Sequence, residues 1–269
     1  MSEFIDNKQP NVETNKEGSL MERAERVLSL DDFRYFEATL REKEPFDPKG
    51  LAMHTTNDYY FSQMLESGRI STSDNKEGIY GSEGASFGDG DFEESLTFQT
   101  LYDEQNTRSG DKKFDSQRYS DKVRDFITHF WETKPDETKA YLKERNAGNE
   151  VGTVDDAIRV AEKFKFKTEP KDLANDPERL SKLYGVTIVY DKAMIPDLNK
   201  DKTTGIQKDF ELRSYRKGGV PIEDASMIFA PEAKIEEIKS MLKERGLEHI
   251  EVRPSEEMEV ARMAKILSE

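Results

Sequence analysis

Apolar positions along this chain change their spacing partway through, and the change divides it. Between Tyr119 and Trp131 the residues Tyr119, Val123, Phe126, Ile127 and Phe130 recur at helical intervals, so this stretch predicts a helix with one strongly apolar face. Pro135 suits the first position of a following helix through Arg145. Thr153 is placed to cap a third, with Val154, Ala157, Ile158, Ala161 and Phe164 on one stripe, and Asp176 with Pro177 opens a fourth that ends near Tyr184. From Val186 the pattern becomes that of strands: Val186–Tyr190, Phe210–Tyr215 and Ser226–Ala230 are rich in β-branched and aromatic residues and bounded by turns. The C-terminal part then reads helix Glu232–Arg245, terminator Gly246, strand His249–Arg253 and helix Glu256–Leu267, which with the preceding strand makes a βαβα segment.

Upstream of the helical stretch the punctuation is denser. Residues 1–19 are polar and read as a tail, followed by a helix over Leu20–Val27 and a second over Asp31–Glu42, with Ser29 as N-cap and Phe33, Phe36 and Leu40 on one face. Leu51–Thr55 is a short apolar strand, after which Asn57 or Asp58 caps a helix carrying Tyr60, Phe61, Met64 and Leu65 and closed by Gly68. Glycines at 78, 81, 84, 88 and 90 predict loops around one or two short strands. Phe92–Tyr102 fits either a strand or a helix, and Asp103–Ser116 reads as a polar loop. The order predicts an α+β fold: one domain over residues 20–269 with a helical insertion at 119–184.

Composition narrows the function classes. Of 269 residues, 36% are charged, and the formal net charge is -15, so the field of the protein repels phosphate backbones and anionic lipid. Nucleic acid is a disfavoured partner and no apolar run is long enough to span a membrane. No region with the layout of a signal peptide is visible near Met1, which sets a cytoplasmic expectation. The absence of cysteine excludes disulfides, thiolate nucleophiles and thiolate zinc sites, leaving His, Asp and Glu as side-chain ligands.

Several stretches invite chemistry. His54, one of three histidines, stands near the end of the Leu51–Thr55 strand, where binding groups are often carried, or it hydrogen-bonds a neighbouring loop. His129 and His249 read as structural or solvent-facing. The acidic loop Asp89–Glu94 and the segment Asp197–Thr203 resemble calcium loops in their alternating oxygen ligands, but each lacks the glycine at the sixth position and the glutamate at the twelfth, so solvated turns are the better reading and no metal is expected. Phosphate-loop, dinucleotide-fingerprint, nucleophile-elbow and zincin motifs are missing. Glu211 on a strand, and Glu223 just before one, are carboxylates that at a cleft would stabilise a developing cation or orient a ribose hydroxyl, although chance placement is a rival among 56 acidic residues.

Taken together, His54-Thr55-Thr56, the following Phe61–Ile70 helix ending in Gly-Arg-Ile, the GIYGSEGASF stretch and the late FELRS strand resemble the ADP-ribosyltransferase superfamily. The resemblance covers His54 to about Phe87 and Val186 to Ala230. It implies a split β core, here with a helical block inserted between its second and third motifs, and it implies NAD as co-substrate. By the resemblance His54, with Thr55 beside it, would bind a ribose on the adenosine side, Tyr80 or Phe87 would stack on nicotinamide, and Glu211, or else Glu223, would hold the nicotinamide ribose. Thr55 departs from the glycine common at that place in the family. The acceptor implied is a protein or small molecule. The alternative is a non-catalytic α+β module that binds a protein partner, of the kind carried by phage or mobile elements.

Overall fold

The computed structural model describes residues 34, 36–38, 45–71, 85–107, 112–163, 170–200 and 211–266. Strand β1 (Leu51–Asn57) runs through the middle of the β structure. On one side it pairs antiparallel with β4 (Gly185–Asp191) over all seven residues, from Leu51 opposite Asp191 to Asn57 opposite Gly185. On the other side β3 (Ala85–Asp89) meets it at only two positions, Ala52–Asp89 and Met53–Gly88. Beyond β3 lie β6 (Glu211–Ser214) and the edge strand β5 (Asn199–Lys200). Beyond β4 lie β8 (Met227–Ala230) and β9 (Glu251–Pro254), the latter parallel to β8. The result is a mixed seven-stranded sheet in the order β5-β6-β3-β1-β4-β8-β9, with β2 (Arg69–Ile70) and β7 (Val220–Pro221) in a separate ribbon. The fold is α+β, and the sheet is split: the β5-β6-β3 unit is joined to the β1-β4-β8-β9 unit through two residue pairs.

Pleating sends alternate residues of β1 into different layers. Ala52 faces the layer of Phe87, Ile188, Tyr190 and Leu212, which is covered by α1 (Asp58–Ser67) through Phe61 and Leu65 and by α7 (Ile235–Lys243) through Ile238 and Leu242. Met53 faces the opposite layer, with Val189 and Phe229 under Leu96 of α2 (Glu93–Asn106) and Met258 of α8 (Glu256–Ile266). Helix α1 starts as its sequence predicts: the Asn57 side chain accepts from Tyr60 N at 3.0 Å, and Gly68, at φ 71°, supplies the left-handed residue that ends it.

Helix α2 also faces a second core, formed with α3 (Lys112–Thr133), α4 (Pro135–Arg145) and α5 (Val154–Lys163) around Phe98, Phe126, Phe130, Leu142 and Ile158. Thr153 Oγ1 caps α5 by accepting from Asp156 N at 3.1 Å. The helical run therefore starts at Glu93, not at residue 119: Phe92–Tyr102 resolves as helix, and α3 begins at Lys112 inside the stretch expected as a loop. The helix opened by Pro177, α6 (Pro177–Leu180), is shorter than expected: Ser181 still has helical dihedrals, but after it the turn tightens to the bond from Lys182 N to Arg179 O and the chain extends toward β4. The C-terminal β8-α7-β9-α8 order matches the expected βαβα segment. Residues 1–19 and the helix expected over 20–27 lie outside the described residues, as does most of the helix expected over 31–42, of which residues 34 and 36–38 are helical. Among the described residues, no helix is long and apolar enough to cross a membrane.

Candidate functional site

At the split, the two-pair ladder between β1 and β3 stops after Met53–Gly88, and the next residue of β1 is His54. Its ring takes over the role of a ladder hydrogen bond: His54 Nδ1 lies 2.8 Å from the carbonyl oxygen of Ser86. A carbonyl only accepts, so Nδ1 carries the proton and, in the neutral ring, Nε2 is the free acceptor. Burial lowers the pKa of His54, opposed by the bond to Ser86, so the neutral form is favoured. Phe87 seats the ring from beneath, with centroids 5.6 Å apart, and packs in turn edge-on against Tyr190 at 5.8 Å.

The same Ser86 also reaches Glu211. Register places Ser86 opposite Arg213 and Gly88 opposite Glu211, so both β6 side chains rise on the Ser86 side of the sheet. Ser86 Oγ donates to Glu211 Oε1, and Arg213 Nη2 stands 3.2 Å from the same oxygen. Both contacts use Oε1. The second oxygen, Oε2, has no hydrogen bond among the described residues. One residue thus ties together two groups that are far apart in the chain, through its carbonyl to His54 and through its hydroxyl to Glu211. They reach it from opposite faces, because pleating places His54 with Phe87 and Glu211 with Ser86.

The other expected site residues fall elsewhere. Thr55 points away from His54 to the α2 side, where its Oγ1 donates to Gln99 Oε1 at 2.6 Å and lies 2.7 Å from Thr187 Oγ1. It is a sheet-to-helix fastener and does not face the split. Phe87 is 1% exposed, so its ring is part of the core and is not available to stack on a ligand. Glu223 is an exposed residue on a 3-10 turn before β8, its carbonyl held by His249 Nε2 at 3.0 Å, and nothing brings it to Ser86. Tyr80 lies outside the described residues. Sequence reasoning missed Ser86. Ser86 is a lone hydroxyl between Ala85 and Phe87, and only strand register reveals its two partners.

The acidic loop is occupied from within. Lys192 Nζ forms ion pairs with the buried Asp89 and with Asp91 at the ends of β3 and β4. Asp91 Oδ1 accepts from Gly50 N at 2.7 Å and Asp89 Oδ1 from Asp91 N at 3.1 Å, so an ammonium stands where the calcium pattern would put a metal. Asp197, the start of the other acidic segment, accepts from Ser214 Oγ at 3.0 Å and Tyr215 N at 2.9 Å. Among the described residues, no group of three His, Asp or Glu side chains could hold a metal ion. No family model, curated protein or solved structure matches this chain.

Proposed function

We propose that the chain is an NAD-dependent ADP-ribosyltransferase-like enzyme whose substrate lies across the split between β1 and β3. The observation that carries this reading is the double use of Ser86, which holds a neutral histidine and a carboxylate on the two faces of the sheet at the split, each with one acceptor atom left over. His54 Nε2 accepts from a hydroxyl of the adenosine-side ribose, and Glu211 Oε2 accepts from the 2'-hydroxyl of the nicotinamide ribose. As the bond from the ribose C1' to the nicotinamide nitrogen breaks, its electron pair leaves with nicotinamide. The Glu211 carboxylate, fixed by Ser86 and Arg213, stabilises the positive charge left on the sugar. The acceptor, a protein or small molecule, then bonds to C1' and gives up its proton to solvent water. Because His54 and Glu211 approach from opposite faces, the nucleotide must thread the split.

Ligand linkage supplies the test. NAD at a hundred times its dissociation constant stabilises the folded state by about 2.7 kcal/mol. For a chain of this size that raises Tm by roughly 5–10 °C. Glu211→Gln keeps this shift and loses nicotinamide release, whereas His54→Ala loses much of the shift. The reading fails if millimolar NAD leaves Tm unchanged and neither substitution alters any nicotinamide release.

A further inference from the structure

The face of the split that carries Glu211 has a roof. Helix α2 packs there against β1, β3 and β4 and directs two polar side chains at Gly88. Gly88 ends the short ladder with β1 and is also the residue opposite Glu211 on β6. A Cβ built on it would meet Ser95 Oγ at 2.4 Å and Gln99 Nε2 at 2.5 Å, so these two ends fill the place of the side chain that glycine lacks. Directly paired residues raise their side chains on one face with Cβ positions about 5 Å apart, so Glu211 stands next to both.

Each of the three groups has hydrogen-bonding capacity left. Ser95 is fully buried, and its hydroxyl has no hydrogen-bond partner among the described residues. The Gln99 carboxamide is anchored at one end: Oε1 accepts from Thr55 Oγ1 at 2.6 Å, so the group reaches from β1 to β3, and among the described residues no hydrogen bond uses Nε2. Glu211 spends Oε1 on Ser86 and Arg213 and keeps Oε2. A buried hydroxyl without a partner costs stability, so its presence beside a carboxylate calls for a partner that the chain itself does not supply.

We propose that Ser95 and Gln99 read a vicinal diol beside Glu211 and so restrict the split to ribosyl compounds. The inference rests on the split being the substrate site. While the 2'-hydroxyl of the nicotinamide ribose donates to Glu211 Oε2, the adjacent 3'-hydroxyl accepts from Gln99 Nε2 and donates to Ser95 Oγ. Both unused groups of α2 gain a partner at once. An anionic acceptor, an N–H donor and a hydroxyl together match a cis diol, in which two neighbouring oxygens each accept and each carry one proton. A site built to hydrogen-bond a hydroxyl rejects the analogue that lacks it, because its own buried groups are then left unpaired. Ser95 and Gln99 are binding residues in this role, and neither touches the bond that breaks.

The test is calorimetric titration of the full chain with NAD and with the analogue whose nicotinamide ribose lacks the 3'-hydroxyl, repeated on Ser95→Ala, Gln99→Met and the double variant. In the parent chain the analogue binds about tenfold more weakly than NAD, the effect of roughly one hydrogen bond. Each single variant weakens NAD and narrows the gap between the two ligands, and in the double variant the gap closes. Ser95→Ala leaves the Tm of the ligand-free chain unchanged or raises it, since an unpartnered hydroxyl holds nothing in the fold, whereas a structural hydroxyl would lower Tm and weaken both ligands alike. Equal affinity for the two ligands in the parent chain, a gap that survives in the double variant, or a fall in the Tm of ligand-free Ser95→Ala overturns the proposal. A parent chain that does not bind NAD overturns it together with the proposed function, while NAD binding without nicotinamide release removes the transferase chemistry and leaves the diol subsite standing.

Discussion

Lys192 offers the sharpest energetic test, because it closes three strand ends at once. Its ammonium pairs with Asp89, whose side chain is 7% exposed, and with Asp91, which is 47% exposed. Its own backbone N donates to Gly50 O at 3.1 Å, and Gly50 N donates to Asp91. In Lys192→Met the aliphatic stem is kept and the charge removed, leaving the buried Asp89 carboxylate with the Asp91 amide as its donor. Breaking a buried pair from one side costs about 3–5 kcal/mol. Lys192 is itself partly solvated, so the lower end, about 3 kcal/mol, applies to Asp89, and the exposed Asp91 arm adds about 0.5 kcal/mol at most. The expected loss in urea unfolding followed by circular dichroism is therefore about 3 kcal/mol at pH 7, or roughly 6–12 °C in Tm. Adding Asp89→Asn to Lys192→Met should recover about 2 kcal/mol, since the penalty is the orphaned charge and not the missing lysine. The pH dependence has a fixed sign. The hydrogen bond from Lys192, and then the one from Gly50, hold Asp91 below the usual carboxylate range, so its contribution is present above about pH 4 and is lost as pH falls through its lowered pKa. For Lys192, burial pulls the pKa down but the two carboxylates outweigh it, so that contribution persists until pH rises past its raised value. A loss under 1 kcal/mol, or no recovery in the double variant, would refute the reasoning.

Other expectations follow from the same geometry. His54 is held neutral by burial, so its contribution is complete above about pH 6.5 and declines as pH falls through its lowered pKa; His54→Gln, which keeps a donor for Ser86, should flatten that limb of a stability-versus-pH curve. Gly90→Ala places a Cβ 1.9 Å from the Pro48 carbonyl oxygen, a backbone atom that cannot turn aside, and should cost about 3 kcal/mol or prevent folding. Gly88→Ala instead meets the side-chain ends of Ser95 and Gln99 at 2.4 and 2.5 Å, so pairing it with Ser95→Ala should recover a measurable part of the loss in thermal unfolding. Ser86→Ala removes the hydroxyl but keeps the carbonyl: nicotinamide release should fall while the pH dependence attributed to His54 stays as in the parent chain.

The local code of this chain is plain where one face is apolar and the other wet. Helices α4 and α5, the caps at Asn57 and Thr153, the terminators Gly68 and Gly246 and the C-terminal βαβα segment all follow from residue pattern. Helix α2 does not, because it is sandwiched. It turns Ser95, Gln99, Thr100 and Asn106 inward beside Leu96, and Phe98, Leu101 and Tyr102 toward the helical core, so neither periodicity dominates. The candidate site is half legible. A histidine on an early strand and a glutamate on a late one could be picked from the sequence, but their shared partner could not, since Ser86 acquires its role only from the register of β3 against β6. Thr55 looked like a companion of His54 and is turned away from it by the two-residue period of the strand. Glu223 precedes a strand as Glu211 opens one, yet the 3-10 turn leaves it in solvent.

The central ladder carries a kinetic consequence. Leu51 and Asp191, which pair at one end of the β1–β4 ladder, are separated by the entire helical block, so the strand on which the sheet is built cannot find its longest partner until that block has been synthesised and gathered in. Helices α3 to α5 contact one another over short stretches of chain and can assemble early. The sheet must wait for a long loop to close, and proteins dominated by such distant pairings fold slowly. Until it closes, the β1 edge that β4 covers stays unpaired, and a nascent chain arrested before Gly185 would expose it to its neighbours.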